Sequence, residues 1–423
     1  MELLEKLRIL AGGAKYDVSC ATGGAVRRNS RGQPQTMPGI CHSWSADGRC
    51  VALLKVLFTN ACAYDCKYCI NRRSNTVPRA AFTPEELASL TVEFYRRNYI
   101  EGLFLSSGVV GGPDSTMELL LKSIRLLRVQ HRFRGYVHLK IVPGTAARLV
   151  DEAARLADRI SVNAEFASAD SLTAMAPDKN WAAVLGPMTR ATEAIAAADA
   201  ERKAKRMSTP FAATSQSTQI IVGATPDTDK NILTLADRFY QKERMKRVYY
   251  SAYVPVNTAA DAPAGRPPLA REHRLYQADW LLRWYGFNVD ELLTGQDGNL
   301  DLALDPKTAW ALAHPELFPL EVNTAPYEML LRVPGVGVRG AERIVAARRE
   351  QRLRPEDLTK LNIIFKRARY FLIASGIYSG GIFDAGLIRR KLLPPVPSSE
   401  KQLTFLAPAG PSEEQVAAVT GEM

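Results

Sequence analysis

Val51-Ala-Leu-Leu-Lys-Val-Leu-Phe58 runs directly into Thr59-Asn-Ala-Cys62-Ala-Tyr-Asp-Cys66-Lys-Tyr-Cys69-Ile-Asn-Arg72. The first piece is an apolar, strand-like run, and the second spaces three cysteines as C-x3-C-x2-C. Three thiolates at that spacing can hold three corners of a 4Fe-4S cube and leave the fourth iron open to a substrate or cofactor, whereas a closed structural site wants four ligands. A zinc knot is the alternative, since short Cys pairs are common zinc ligands. Zinc sites favour paired C-x2-C units, however, and no second such pair exists in the chain.

Outward from this stretch, strand-like and helix-like runs alternate. Strands are predicted over 51–58, 102–106, 136–142, 159–164, 218–222 and 247–254. Helices are predicted over 84–98, 115–129, 146–157 and 230–242, with a broken helical stretch over 180–207. Six strands separated by helices imply a parallel sheet with crossover connections, hence an α/β barrel or partial barrel. Chemistry in such barrels sits at the C-terminal ends of the strands. The cysteine loop follows the first strand, as that rule requires.

The strand-like lead-in and Tyr68, one residue before the third cysteine, resemble the radical S-adenosylmethionine (SAM) superfamily. The resemblance implies a partial (β/α)6 barrel and a 4Fe-4S cluster on Cys62, Cys66 and Cys69. It also implies SAM chelated at the open iron, an electron donor such as flavodoxin or ferredoxin, and reductive cleavage of SAM to a 5′-deoxyadenosyl radical. Ser106, Ser107 and Gly108 end the second strand where the superfamily places a Gly-Gly-Glu-like turn that meets the methionine amino group, although the acid is missing here. Asn163 and Glu165, two residues apart at the end of the fourth strand, point the same way and suit the ribose or methionyl end of SAM. Gln219 and Gly223 resemble the segment that passes the adenine. Lys140 is expected in the barrel mouth, facing the SAM carboxylate, a phosphate or Glu165.

All six cysteines lie between positions 20 and 69. Their clustering suggests a second Fe-S cluster or a zinc on Cys20, Cys41 and Cys50, with His42 completing the shell. The other reading makes them small buried hydrophobes. Residues 1–50 are Gly- and Arg-rich after a short helix and read as an irregular cap over the barrel, 51–256. With 423 residues, 46% hydrophobic and 23% charged, the chain can bury one large core and a second small one. No signal stretch or long apolar run is present, so a cytoplasmic protein is expected, with no membrane partner. Disulfides are not expected there. The net charge of +11 favours a polyanionic partner but decides little by itself.

The region 257–392 reads as helical, and 394 onward, rich in Pro, Ser and Glu, as a disordered tail. Within it, Leu331-Arg-Val-Pro-Gly335-Val-Gly337-Val-Arg339 predicts a helix-hairpin-helix near 323–350. Its glycines would let the backbone approach a phosphate, with free N–H groups at the next helix start as donors. Gly335, Val336, Gly337, Arg339, Arg343 and Lys366 are the expected DNA contacts. Between Glu321 and Lys391 there are 14 Lys and Arg against 7 Asp and Glu, so most of the chain's positive excess is local. Together with Lys15-Tyr-Asp-Val-Ser-Cys20, Gly39-Ile-Cys-His-Ser-Trp44 and Asp47-Gly-Arg-Cys50, the barrel and hairpin resemble DNA modification or repair radical SAM proteins. That family is commonly linked to a protein of the uracil-DNA glycosylase superfamily. The resemblance implies a radical attack on a damaged or target DNA nucleotide. Radical SAM modification of transfer RNA or other RNA, and a zinc-stabilised nucleic-acid adaptor without catalysis, are the alternatives.

Overall fold

The structure, a computed structural model, describes residues 1–15, 17, 39–44, 50–204, 212–256, 265, 267–295 and 297–393. The expected tail, the Pro/Ala connection near 260 and Cys20 lie outside these residues. Of Cys50 and His42 only the backbone is described. The described residues fall into two compact units, one reaching Asp227 and including Arg238–Leu269, the other comprising Thr228–Asp237 and the chain from Ala270.

The first unit opens with helix α1 (Leu3–Ala14), whose Leu7, Leu10 and Ala14 are fully buried. A seven-stranded sheet follows in the order of the chain: β1 (Ile40–Trp44), β2 (Cys50–Leu57), β3 (Gly102–Ser106), β4 (Tyr136–Lys140), β5 (Arg159–Ser161), β6 (Ser215–Val222) and β7 (Met245–Ala252). Strand β1 runs antiparallel to β2, and β2 through β7 are mutually parallel. Helices α2 (Pro84–Arg96), α3 (Pro113–Arg125), α4 (Ala147–Leu156), α5 (Ala169–Met175), α6 (Trp181–Lys203) and α7 (Asp229–Lys242) lie in the crossovers. A doubly wound sheet would reverse its order partway; here every strand neighbours its successor, so the chain winds one way, as in a barrel. No ladder joins β7 to β1 among the described residues, so the barrel is partial.

Local chemistry sets these boundaries. Thr83 and Glu86 form a capping box at the start of α2, with Pro84 in the first turn. The Asn180 side chain accepts from Ala183 N–H and starts α6, which continues unbroken for 23 residues through Pro187 instead of breaking as expected. Strand β3 is buried at all five positions, as a parallel strand covered on both faces must be.

Two expectations are corrected. The N-terminal fifty residues are not wholly irregular, because Ile40–Trp44 is an edge strand of the barrel sheet and α1 contributes to its core. The C-terminal region is not all-α either. It contains α8 (Leu269–Trp284), α9 (Val289–Leu292), α10 (Pro306–Ala313), α11 (Tyr327–Arg332), α12 (Val338–Glu350), α13 (Pro355–Leu358), α14 (Phe365–Ala368) and α15 (Ala385–Leu392). With them is a small sheet of β8 (Leu320–Glu321), β9 (Leu372–Ala374) and β10 (Ile377–Tyr378), in the order β10-β9-β8. Strands of two or three residues are too short to show an alternating pattern.

Candidate functional site

The loop after β2 is fixed at both ends before it reaches its cysteines. Asn60 donates to the Pro78 carbonyl at 2.8 Å and accepts from Ala80 N–H at 2.8 Å. The Arg79 guanidinium donates to four carbonyls, those of Asn60, Asn71, Arg72 and Asn75, at 2.5, 2.9, 2.7 and 2.8 Å. Asp65 accepts from the Arg72 guanidinium at 2.8 and 2.9 Å and from Ser74, and these bonds hold its carboxyl below the usual carboxylate range. Asp65 N–H donates to Asp178 and Lys67 N–H to the Met175 carbonyl, tying the loop to the segment after α5.

Two backbone N–H groups point at sulfur: Val109 donates to Cys62 Sγ at 3.3 Å and Asn71 to Cys69 Sγ at 3.4 Å. Gly108 lies so close to the loop that a β-carbon there would stand 2.8 Å from the Ala61 carbonyl oxygen, so glycine is needed for this approach. Burial pushes the Cys66 thiol up, and burial together with Cys66 pushes Cys69 up to about 12. Metal binding is what turns such thiols into thiolates.

All three cysteines line one cavity of about 180 Å³ at the C-terminal ends of the strands. Seven of the expected cofactor residues line it with them: Ser106, Ser107, Gly108, Lys140, Asn163, Glu165 and Gln219. Gly223 does not. Its φ is +82° and it faces Pro267, where a β-carbon would stand 2.4 Å away. It serves the chain's exit from β6.

Lys140 pairs with Asp17, reaching in from the N-terminal segment, and not with Glu165. Burial alone would raise the Asp17 carboxyl, but the Lys140 ammonium, a hydrogen bond from Ser106 and the Lys55 charge outweigh it and hold it low. Glu165 instead pairs with Lys179 at 3.3 Å, and Lys179 also donates to the Tyr68 hydroxyl at 3.0 Å. Glu165 adopts a left-handed φ of +65°, fixed by its N–H to the Gln219 carbonyl and its carbonyl to Ile221 N–H. Deeper in the barrel, His138 meets Ser161 Oγ at 2.9 Å, and burial followed by the Arg159, Lys140 and Lys55 charges keeps its pKa well below normal.

Asp17, Arg79, Lys179 and Tyr253 escaped the sequence reading. Tyr253, immediately after β7, also lines the cavity; it is 2% exposed and its hydroxyl has no hydrogen-bond partner. The strand-end rule could have found it. Asp17 meets Lys140 across 123 positions and Lys179 meets Tyr68 across 111, while Arg79 acts only on backbone carbonyls, so none of the three carries a side-chain pattern to read. An orphaned buried hydroxyl on a cavity wall suits a ligand that accepts there. Among the described residues no three His, Cys, Asp or Glu side chains converge as a single metal ion would require. Three cysteines on the wall of one cavity, two of them receiving N–H groups, suit a polynuclear cluster with one open face. Cys41 is half-buried in β1, opposite Leu53; the remainder of the expected second metal site lies outside the described side chains.

In the second unit, α11 and α12 flank Pro334-Gly335-Val336-Gly337. Gly335 has φ +86° and its carbonyl accepts from Ile364 N–H at 2.8 Å; a β-carbon there would stand 2.6 Å from the Ile364 oxygen. Gly337 has an ordinary φ of −94° and caps α12. Arg339, Arg343 and Lys366 are exposed. Val336 is 1% exposed and its N–H is bonded to the Val333 carbonyl. Its own carbonyl accepts from the buried Lys307 ammonium.

The Radical SAM superfamily model matches residues 56–198. The chain is also similar to the structure of HydG, a maturase of the FeFe-hydrogenase, at 16% identity and a TM-score of 0.41 over 53% of this chain and 48% of that one. A second HydG, from Carboxydothermus hydrogenoformans, gives 15%, 0.39, 53% and 50%, and methylornithine synthase (PylB) gives 12%, 0.38, 52% and 60%. The chain thus spans about half the length of the HydG structures it matches. No curated protein matches it. The three-cysteine loop at the strand ends of the partial parallel barrel thus falls inside the segment, 56–198, that matches the Radical SAM superfamily, whose members use a 4Fe-4S cluster and SAM.

Proposed function

We propose that this enzyme modifies or repairs a DNA nucleotide, the first unit carrying the reaction and the second gripping the phosphate backbone. The observation that carries the nucleic-acid reading is the turn at Gly335, with the free helix start at Gly337 and the exposed Arg339, Arg343 and Lys366 in a strongly basic stretch. Helix starts of this kind suit phosphate, and such contacts position the protein without reading sequence.

When bound, the cluster and SAM supply one-electron cleavage of a sulfonium and abstraction of hydrogen from an unactivated C–H bond. Cys62, Cys66 and Cys69 would hold the cluster, and the N–H groups of Val109 and Asn71 are placed to donate to the sulfurs of Cys62 and Cys69. Lys179, hydrogen-bonded between Glu165 and Tyr68, offers a cation to a carboxylate, while Glu165 and Asn163 offer acceptors to an amine or to hydroxyls. Leu57, Ile141 and Val142 give the cavity apolar walls that exclude water. A duplex base must be flipped out to reach such a cavity, at about a few kcal/mol, less where damage or a mismatch weakens the stack. The proposed partners are a reducing protein such as flavodoxin or ferredoxin and a protein of the uracil-DNA glycosylase superfamily acting in the same pathway. No helix among the described residues is long and apolar enough to cross a membrane.

The test is anaerobic reconstitution with SAM and a strong reductant, followed by 5′-deoxyadenosine release with and without DNA and RNA oligonucleotides and mass spectrometry of the nucleic acid. DNA-dependent release with an altered nucleotide supports the reading. RNA-dependent release moves the substrate to RNA. Release indifferent to both, with no binding to either, overturns the nucleic-acid assignment.

A further inference from the structure

Helix α8 presents Gln277, Trp280 and Trp284 to solvent along one face, while Leu275, Tyr276, Ala278 and Leu281 face inward and supply its packing. The two indoles are 49% and 56% exposed, with ring centroids 6.1 Å apart and planes tilted by 49°. The Arg283 guanidinium lies 5.8 Å from the centroid of each ring and is anchored at 3.0 Å by Asp279, whose own side chain is 1% exposed. The core does not need these indoles, and a buried carboxylate fixes the cation between them.

The C-terminal end of α8 meets the basic turn. Tyr285 follows Trp284 directly, and a β-carbon at Gly337 would stand 3.5 Å from its hydroxyl. The Lys307 ammonium sits 4.6 Å from the Tyr285 ring centroid and donates to the Val336 carbonyl.

We propose that Trp280 and Trp284 are a stacking platform for unpaired bases of a single nucleic-acid strand whose phosphates lie against the Gly335–Arg339 turn. This rests on the nucleic-acid reading above and deepens it by naming the form of the substrate. Every base has a flat π-face, so indoles bind unpaired bases with little regard to sequence, and a fixed guanidinium adds a cation–π contribution. Bases paired in a duplex keep their faces against one another and cannot use such a platform. Charge complementarity selects this occupant, because the patch pairs aromatic faces with arginine and sits beside a turn whose surroundings carry Arg339 and Arg343.

The test uses the full chain with labelled oligothymidylate, a DNA hairpin duplex, and vesicles of phosphatidylcholine with phosphatidylserine. The single strand should quench tryptophan fluorescence. Trp280→Ala with Trp284→Ala should weaken single-strand binding by on the order of tenfold or more while duplex binding stays near wild type, and Phe at both positions should restore most of the loss. Wild-type single-strand affinity in the double alanine variant overturns the platform, as does an equal loss on duplex or a loss seen on vesicles alone. If the wild-type protein binds neither single strand nor duplex at low salt, the nucleic-acid reading itself fails. If Arg339→Ala with Arg343→Ala weakens both nucleic acids alike while the tryptophans prove silent, only the platform is lost.

Discussion

Replacing Arg79 with alanine should strip the enzyme of its iron without unfolding it. The guanidinium joins the start of the cysteine loop, at Asn60, to its end, at Asn71, Arg72 and Asn75, through four hydrogen bonds of 2.5 to 2.9 Å. Hydrogen bonds from a charged donor contribute about 1.5–3 kcal/mol each, which gives about 6–12 kcal/mol as a ceiling for the four. Arg79 is only half-buried, and water recovers part of that, so about a third to a little under half of the ceiling, about 2–5 kcal/mol, is the working figure. It falls on the loop and not on the sheet, whose ladders do not involve residue 79. The assay is iron and sulfide per chain after anaerobic reconstitution, alongside circular dichroism and the thermal midpoint. Arg79→Ala should lose most of its iron with near-native secondary structure. Arg79→Lys should fall between, since an ammonium cannot meet four divergent carbonyls. Full iron content in Arg79→Ala, with an unshifted midpoint, would show that the loop does not depend on this clamp.

Cys66→Ala should abolish 5′-deoxyadenosine formation and leave oligonucleotide binding within about twofold of wild type, because the C-terminal unit does not contain the cluster loop; retained SAM cleavage would remove Cys66 from the ligand set. Gly335→Ala forces a β-carbon to 2.6 Å from the Ile364 oxygen at a φ of +86°. It should destabilise the second unit by about 2–4 kcal/mol and reduce nucleic-acid binding while 5′-deoxyadenosine release persists; a wild-type melting profile would contradict this. Burial lowers the Lys307 pKa to about 7. The unfolded chain, with lysine near about 10.4, therefore holds more protons between these values. Stability from this group accordingly rises with pH from about 7 to about 10.4, by up to about 1.4 kcal/mol per pH unit, and the cost of burying the charge is complete below about 7. Thermal melts of wild type and Lys307→Met from pH 6.5 to 9 should converge toward alkaline pH; parallel curves would refute the shift.

The barrel was legible because its strands are β-branched and apolar runs bounded by turn residues, and the cysteine loop because its spacing is itself the chemistry. What stayed hidden depends on contacts between distant residues. Lys140 looked like a partner for Glu165 since both stand at strand ends, but Asp17 is 123 positions away and takes that role, leaving Glu165 to Lys179. Arg79 acts entirely on carbonyl oxygens, which carry no residue identity. The edge strand at Ile40–Trp44 lies in a Gly- and Arg-rich region and owes its form to pairing with β2. Val336 was expected among the DNA contacts with its flanking glycines, and the spacing carried no sign that its side chain is buried.

Glu165 brings stability and activity into conflict at a single position. A side-chain-bearing residue in the left-handed region costs about 1–2 kcal/mol, and here the bonds to Gln219 and Ile221 enforce it. Glycine would relax that strain and alanine would keep it, although both lose the carboxylate. The glycine variant should therefore outlast the alanine variant on heating while both are equally inert.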